Sequence, residues 1–307
     1  MSKIVILGCG YIGSNLANYI VNNSYDQVIV YGSDNYYSEQ LDSRIEFVDK
    51  RIEQINCTDK EYLEDAIVID CTGSTNATNS VSDSSTLMLE NCSAKVQLIR
   101  KISNLGILKY VFLSSGGTVY IDSTKKHKED EITYPNNIYA LEKIFIENFL
   151  RMYGLENGNF NYQVLRVSNP YGGIVSPRKK QGIIDVAINK LNNGEELQMY
   201  GDLNNVRDYI YIDDFSDMVY QLTKLNDKNE TYNVGSGIGY SLKHILDMLE
   251  SKFNKSIAFT PKKLNVADIR CNILDNSKAL GRIDKMSFVN IDDGIDKCIN
   301  TKKNKMM

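Results

Sequence analysis

Only two histidines occur among the 307 residues, and the six cysteines (Cys9, Cys57, Cys71, Cys92, Cys271, Cys298) form no Cys-x-x-Cys pair. The ligand spacing of a structural metal site is therefore missing, and no metal is expected. A basic excess is missing too: the formal net charge is −4, which leaves no broad footprint for a nucleic-acid backbone. A small anionic ligand stays compatible, held by a few local cations and helix N-termini. No apolar run approaches the roughly 18 residues of a membrane helix. The run Lys3 to Leu7 enters a glycine turn directly, with no room for a secretory leader. The expectation is a cytoplasmic protein without nucleic-acid or membrane partners. The cationic cluster Lys125 to Lys128, which includes His127, is followed at once by Glu129, Asp130 and Glu131 and reads as a solvated loop.

What is present is enough apolar material for a full core: 42% hydrophobic and 9% aromatic residues, sufficient for one large or two intertwined domains. Short β-branched runs alternate with longer amphipathic stretches through the first half. Lys3 to Leu7, Gln27 to Tyr31, Ile45 to Val48, Ala66 to Cys71, Tyr110 to Ser114 and Phe160 to Val167 are predicted strands. Ile12 to Val21, Ser84 to Ser103 and Ile138 to Tyr153 are predicted helices, the last announced by Pro135, Asn136 and Asn137. This alternation predicts an α/β fold with a doubly wound parallel sheet. After Asn169 and Pro170 the pattern loosens, with helices near Gly182 to Leu191, Asp213 to Leu225 and Leu242 to Phe253.

Gly8-Cys9-Gly10-Tyr11-Ile12-Gly13 stands between the first strand and the first helix. In that setting Gly8 and Gly10 allow a tight turn and close approach of a pyrophosphate, and Gly13 lets the helix pack against the strand. The bland alternative is a structural glycine turn. The acid that accepts from an adenosine ribose normally ends the second strand, yet Tyr31 is followed by Gly32 and Ser33. Asp34 either reaches the ribose, giving a preference for NAD, or starts a turn beside Asn35. No arginine follows immediately to welcome a 2′-phosphate, so NAD is favoured and NADP stays open.

Tyr139 and Lys143 lie four apart on one helix face. The spacing recurs at Tyr220 and Lys224, but Tyr220 sits in the apolar pattern of Phe215, Met218, Val219 and Leu222 and reads as core or rim. Only Tyr139 follows a strand that ends in Ser115, Gly116, Gly117 and Thr118, hydroxyls and glycines where an α/β sheet opens its ligand crevice. A phenol ionises near pH 10 and is a poor base at neutrality; making one serve near pH 7 takes about 4 kcal/mol of preferential anion stabilisation. A lysine ammonium and a positive nicotinamide ring supply stabilisation of that kind. The tyrosine then takes a proton from a sugar hydroxyl as hydride leaves the same carbon. Ser115 or Thr118 is expected to hydrogen-bond and orient that oxygen, and Lys143 is expected to hold the nicotinamide ribose as well.

With these residues in place the chain resembles the extended short-chain dehydrogenases/reductases, and within them the nucleotide-sugar epimerases of the UDP-glucose 4-epimerase type. Besides the glycine turn and the Tyr139/Lys143 pair, the likeness includes Phe112 to Tyr120, Leu165 to Gly172, Val206 to Asp214 and Tyr232 to Gly237. It implies a Rossmann-type domain over residues 1–168, with 207–236 returning to it, and a smaller, mixed α/β substrate domain over most of 169–307. It implies cofactor contacts from Gly8, Gly10, Tyr11, Ile12, Gly13, Asp34, Asn35, Asp49, Thr72, Gly73, Asn91 and Lys143. Asn169, Arg207 and Arg270 are implied for the substrate phosphates, and a homodimer through the helices at Ser84 to Ser103 and Ile138 to Tyr153. The alternatives are that Asn169 caps a turn before Pro170 and that Arg207 pairs with Asp208.

Related 4,6-dehydratases carry an Asp-Glu pair where Gly117 and Thr118 stand, and related decarboxylases carry a Glu at the Thr118 place. Without those acids, the resemblance implies epimerisation of a nucleotide sugar, most simply at C4 of a UDP-sugar through a 4-keto intermediate with NAD. A reductase of keto-sugar nucleotides using NAD(P)H and a non-catalytic dinucleotide sensor are the other readings. Four positions depart from the pattern: Gly116 replaces an orienting serine, Gly32 an acid and Cys71 a histidine, while Asn265 before Asp268 replaces an arginine and leaves Arg270 as its substitute. The asparagine-rich, proline-poor composition is associated with microbial polysaccharide biosynthesis.

Overall fold

The β-branched runs become strands because both of their faces are covered. In a computed structural model, which describes residues 1–33, 35–73, 84–179, 181–200, 202–262, 269–285 and 287–306, the chain begins β1 (Lys3–Leu7), α1 (Tyr11–Asn23), β2 (Gln27–Gly32), β3 (Glu46–Asp49), α2 (Lys60–Leu63) and β4 (Ala66–Asp70). It continues with α3 (Ser84–Ser103), β5 (Lys109–Ser115), α4 (Gly116–Val119), α5 (Ile138–Glu156) and β6 (Tyr162–Val167). The second part holds β7 (Asn169–Tyr171), α6 (Ile183–Asn193), β8 (Leu197–Tyr200), β9 (Val206–Tyr211), α7 (Ile212–Lys224) and β10 (Glu230–Val234). It ends with β11 (Gly239–Ser241), α8 (Leu242–Phe253), β12 (Phe259–Lys262), β13 (Cys271–Asn272), α9 (Ser277–Leu280) and α10 (Ile291–Met306).

Seven parallel strands form the main sheet in the order β10-β6-β5-β4-β1-β2-β3. Successive side chains of a strand face opposite sides. Val5 and Leu7 of β1 accordingly join Ile99 and Ile102 of α3 and Ile146 and Leu150 of α5, while Ile4 and Ile6 join Leu16 and Ile20 of α1 and Phe215 and Met218 of α7. Burial on both faces explains why the strands read as continuous apolar runs.

The smaller region is built on β9, which pairs antiparallel with β11 and parallel with β7 and β13; β8 and β12 form a separate parallel pair. The stretch 207–236 is divided between the two sheets. β10 adds to the main sheet beside β6 and α7 packs on that sheet, whereas residues 207–211 stay in the second sheet, where their backbone groups pair with β7, β11 and β13. The loop carrying Lys125 to Lys128 is not wholly solvated. Lys125, Lys126 and Lys128 are exposed, but His127 is 1% exposed, stacks on Tyr120 with ring centroids 4.7 Å apart and sets Nδ1 2.7 Å from Glu131 Oε2. It is drawn inward because its N–H donates to Ile273 O at 2.8 Å and its carbonyl accepts from Asp275 N at 2.8 Å. Among the described residues no helix is long and apolar enough to cross a membrane.

Candidate active site

The glycine turn has the three properties a diphosphate cradle needs. Gly8 adopts φ +103°, and a Cβ on it would come within 3.0 Å of Thr72 Cγ2. A Cβ on Gly13 would lie 2.0 Å from Gly8 O, so glycine alone lets α1 sit this close to β1. Gly10, the residue before α1, faces open space, and its side has no capping group for the first N–H donors of the helix. Those donors and the helix dipole suit an anion. Ile12 packs against the core, and Tyr11 donates to Gly172 O at 3.0 Å. Burial, then the nearby Asp185 carboxylate, pushes the Tyr11 phenol well above its ordinary range, so it remains a neutral donor. The NAD frame therefore fits the residues present.

Gly32 is explained by the same turn. A Cβ there would stand 2.6 Å from Cys9 Cβ and 2.9 Å from Cys9 N, so the acid usual at the end of the second strand is sterically excluded. Asn35 instead ties the following loop back to the turn, donating to Cys9 O at 3.1 Å. Asp49 ends β3 in register with Gly32. Asp34, like Asn265 and Asp268, lies outside the described residues.

At the ends of the next strands, Asp70 is fully buried and accepts from Lys95 Nζ at 2.6 Å, from Thr72 N at 2.9 Å and Oγ1 at 2.5 Å, and from the Tyr110 hydroxyl. Burial alone would raise its carboxyl, but Lys95, Thr72 and Tyr110 outweigh this and hold it below the ordinary carboxylate range. The network fixes Thr72 beside the glycine turn. Sequence reasoning missed it; the one signal was an acid and a lysine in otherwise apolar patterns. Cys71, between them, is packed against the core and its thiol is pushed up by burial.

The start of α5 is set by Asn137, whose side chain accepts from Ala140 N at 2.8 Å. Lys143, 6% exposed, then reaches the end of β5 and donates to Leu113 O at 3.0 Å. Its Nζ lies 4.7 Å from the Phe112 ring centroid and 5.6 Å from that of Tyr139. A Cβ on Gly73 would be 4.0 Å from the same nitrogen. Tyr139 is half-buried. Ser115 closes β5 at 9% exposure, and Thr118 Oγ1 on α4 is buried with no hydrogen-bond partner among the described residues. Gly116 is filled in front: a Cβ there would meet Leu274 Cδ1 at 2.6 Å, so a serine in that place requires the Leu274 side chain to move.

The second sheet brings Asn169 to this point. A Cβ on Gly117 would lie 3.9 Å from both Asn169 Nδ2 and Oδ1, and Asn169 donates to Asp208 O at 2.8 Å from within β7 rather than capping a turn. Arg207 stands on β9 opposite Tyr240 and Asn272 and donates to Val206 O at 2.9 Å. Two further candidates have side-chain partners within the protein. Asn91 donates to Glu142 Oε2 of α5 at 3.1 Å, and the Arg270 side chain is 85% exposed and paired with Asp122 Oδ2 at 3.0 Å.

Fold and site together define a dinucleotide-dependent enzyme with a tyrosine and lysine at the carboxyl ends of the central strands. Residues 4–235 match the NAD dependent epimerase/dehydratase family, and the chain belongs to that family. It is 35% identical over 216 residues to a dTDP-4-dehydro-6-deoxyglucose reductase of Escherichia coli, covering 69% of this chain and 67% of that one. Against the UDP-glucose 4-epimerase of Bacillus subtilis it is 26% identical over 309 residues, 91% of this chain and 90% of the other. Among solved structures, the UDP-glucose 4-epimerase of Thermotoga maritima with UDP-glucose superposes with a TM-score of 0.84 at 25% identity, covering 99% of each chain.

Proposed function

We propose that the chain is an isomerase that interconverts the C4 epimers of a UDP-linked hexose. The observation that carries this reading is the buried Lys143 beside Tyr139 at the ends of β4 and β5, together with a buried Thr118 hydroxyl that has no hydrogen-bond partner among the described residues. When bound, NAD supplies hydride acceptance and hydride return within one turnover. Tyr139 takes the proton from the C4 hydroxyl and later gives it back to the ketone oxygen. Thr118 orients that oxygen, with Ser115 at the end of β5 as the neighbouring hydroxyl. Lys143 holds the nicotinamide ribose. Asn169 and Arg207 hold the diphosphate, so the sugar can turn about its phosphate link and present its other face.

A second reading has one specific support, the 35% identity to a reductase: here NADPH would reduce a keto-sugar nucleotide and leave oxidised. The experiment that separates them incubates the protein with UDP-glucose and UDP-galactose and with their N-acetyl forms, without added cofactor and then with NAD. Interconversion without net NADH supports the epimerase; NADPH consumption with a keto-sugar nucleotide and no epimerisation replaces it. In the Tyr139→Phe variant we expect turnover to fall by about 10²–10⁴-fold while UDP affinity stays within a few-fold.

A homodimer through α3 and α5 is part of the reading. It is supported by Leu141, Phe145 and Met152, which recur on one face of α5 and are 42%, 42% and 53% exposed, with Leu89 of α3 66% exposed. A monomer by light scattering at micromolar concentration removes it. The absence of a disulfide among the six cysteines, all within the described residues, supports a reducing, cytoplasmic setting, where nucleotide sugars feed polysaccharide biosynthesis.

A further inference from the structure

Asp208, the neighbour of Arg207 on β9, is fully buried and gathers three separate segments. Its Oδ1 accepts from Ser236 N and Ser236 Oγ, both at 2.9 Å. Its Oδ2 accepts from Gly237 N at 3.0 Å and Leu274 N at 3.3 Å. Its main-chain carbonyl accepts from Asn169 Nδ2 at 2.8 Å. The loop after β10 comes so close that a Cβ on Gly235 would stand 2.7 Å from Asp208 Oδ2. Leu274, held by the same carboxylate, is the side chain that fills the space in front of Gly116. Burial pushes the Asp208 carboxyl up to about 6 even against these donors, so the arrangement is costly and needs every one of them.

Neighbouring side chains on a strand point to opposite faces, so Asp208 is anchored on one side of β9 while Arg207 projects from the other. We propose that Asp208 is a positioning residue for the substrate diphosphate: by pinning β9 to the loop 235–238 and to Leu274, it sets where Arg207 and Asn169 stand. The proposal rests on the reading that these two residues hold a nucleotide diphosphate.

The test measures UDP and NAD affinity by calorimetry on the full chain, alongside amide hydrogen exchange. In Asp208→Asn, one of the two acceptor oxygens becomes a donor facing N–H groups. UDP binding should weaken by about tenfold or more, NAD affinity should stay within twofold, and the amides of Ser236, Gly237 and Leu274 should lose protection. Should that variant not fold, Ser236→Ala removes one donor only, and UDP affinity should fall by about two- to threefold. An unchanged UDP affinity in the folded variant overturns the proposal, as does an equal loss of UDP and NAD affinity, which would mean general loosening. Failure of the wild-type chain to bind UDP at all overturns the nucleotide-sugar reading itself and this proposal with it, whereas binding by the wild type and an unaltered variant overturns this proposal alone.

Discussion

The two sheets stabilise their buried carboxylates by opposite means. In the main sheet Asp70 is paired with a cation, Lys95, which together with two hydroxyls pulls its carboxyl below the ordinary range. In the second sheet Asp208 is met by neutral donors among the described residues and is lifted by burial to about 6. The first arrangement secures a rigid platform for the cofactor from long strands with two covered faces. The second holds together short strands from four distant segments, and its anchor is weaker. Both regions share an apolar core, with Ile184, Ile188, Leu246 and Leu249 of the second region buried in it, so the difference lies in how each holds its buried carboxylate.

The contrast is broken most severely at Lys95. Replacing it by Met leaves Asp70 buried with Thr72 and Tyr110 alone, and should cost about 3–5 kcal/mol in urea unfolding at pH 7. The pH dependence has a definite sign. Because the folded carboxyl lies below its unfolded value near 4, its stabilisation is present above that pH and is lost as pH falls through the lower folded value. The gap between wild type and Lys95→Met should accordingly narrow on acidification below about pH 4, and a gap constant from pH 7 to pH 3 would contradict the assignment.

Gly32 offers an intermediate effect. In Gly32→Ala the new methyl meets Cys9, and overpacking of this kind costs about 1–3 kcal/mol. Since Cys9 lies between Gly8 and Gly10, NAD affinity should fall along with the melting temperature. The smallest effect on stability is expected at Thr118. Thr118→Val keeps the shape and removes a hydroxyl with no partner among the described residues, so unfolding should change by less than about 1 kcal/mol while turnover falls by about tenfold or more. A variant equally active would return the orienting role to Ser115.

The cofactor half was legible in the sequence because its determinants are contiguous. Gly8 to Gly13 form one turn between one strand and one helix, Tyr139 and Lys143 share a helix face, and the strands needed only their β-branched runs. Even there the reason for Gly32 was hidden, since it depends on where Cys9 folds back. In the second sheet legibility fell away with sequence separation. That Leu274 closes the space at Gly116, that Asp208 collects Ser236, Gly237 and Leu274, and that Arg270 turns out to Asp122 are contacts between segments 28 to 158 residues apart by their numbering. No periodicity encodes such contacts. His127 shows the same limit: its charged neighbours suggested solvent, and the backbone pairing that buries it comes from residues 273 and 275.

The seventh strand of the main sheet, β10, pairs with β6 only after the chain has left to build the substrate region. During synthesis β6 is consequently an open edge until residue 234 has emerged, with its unpaired N–H and C=O groups available to any extended chain nearby. When β10 docks, in a non-local pairing of the slow kind, it covers β6 and becomes the edge of the sheet in its place. Chains truncated between β6 and β10 should precipitate more readily than the full chain, because β6 and the apolar face that α7 covers stay exposed.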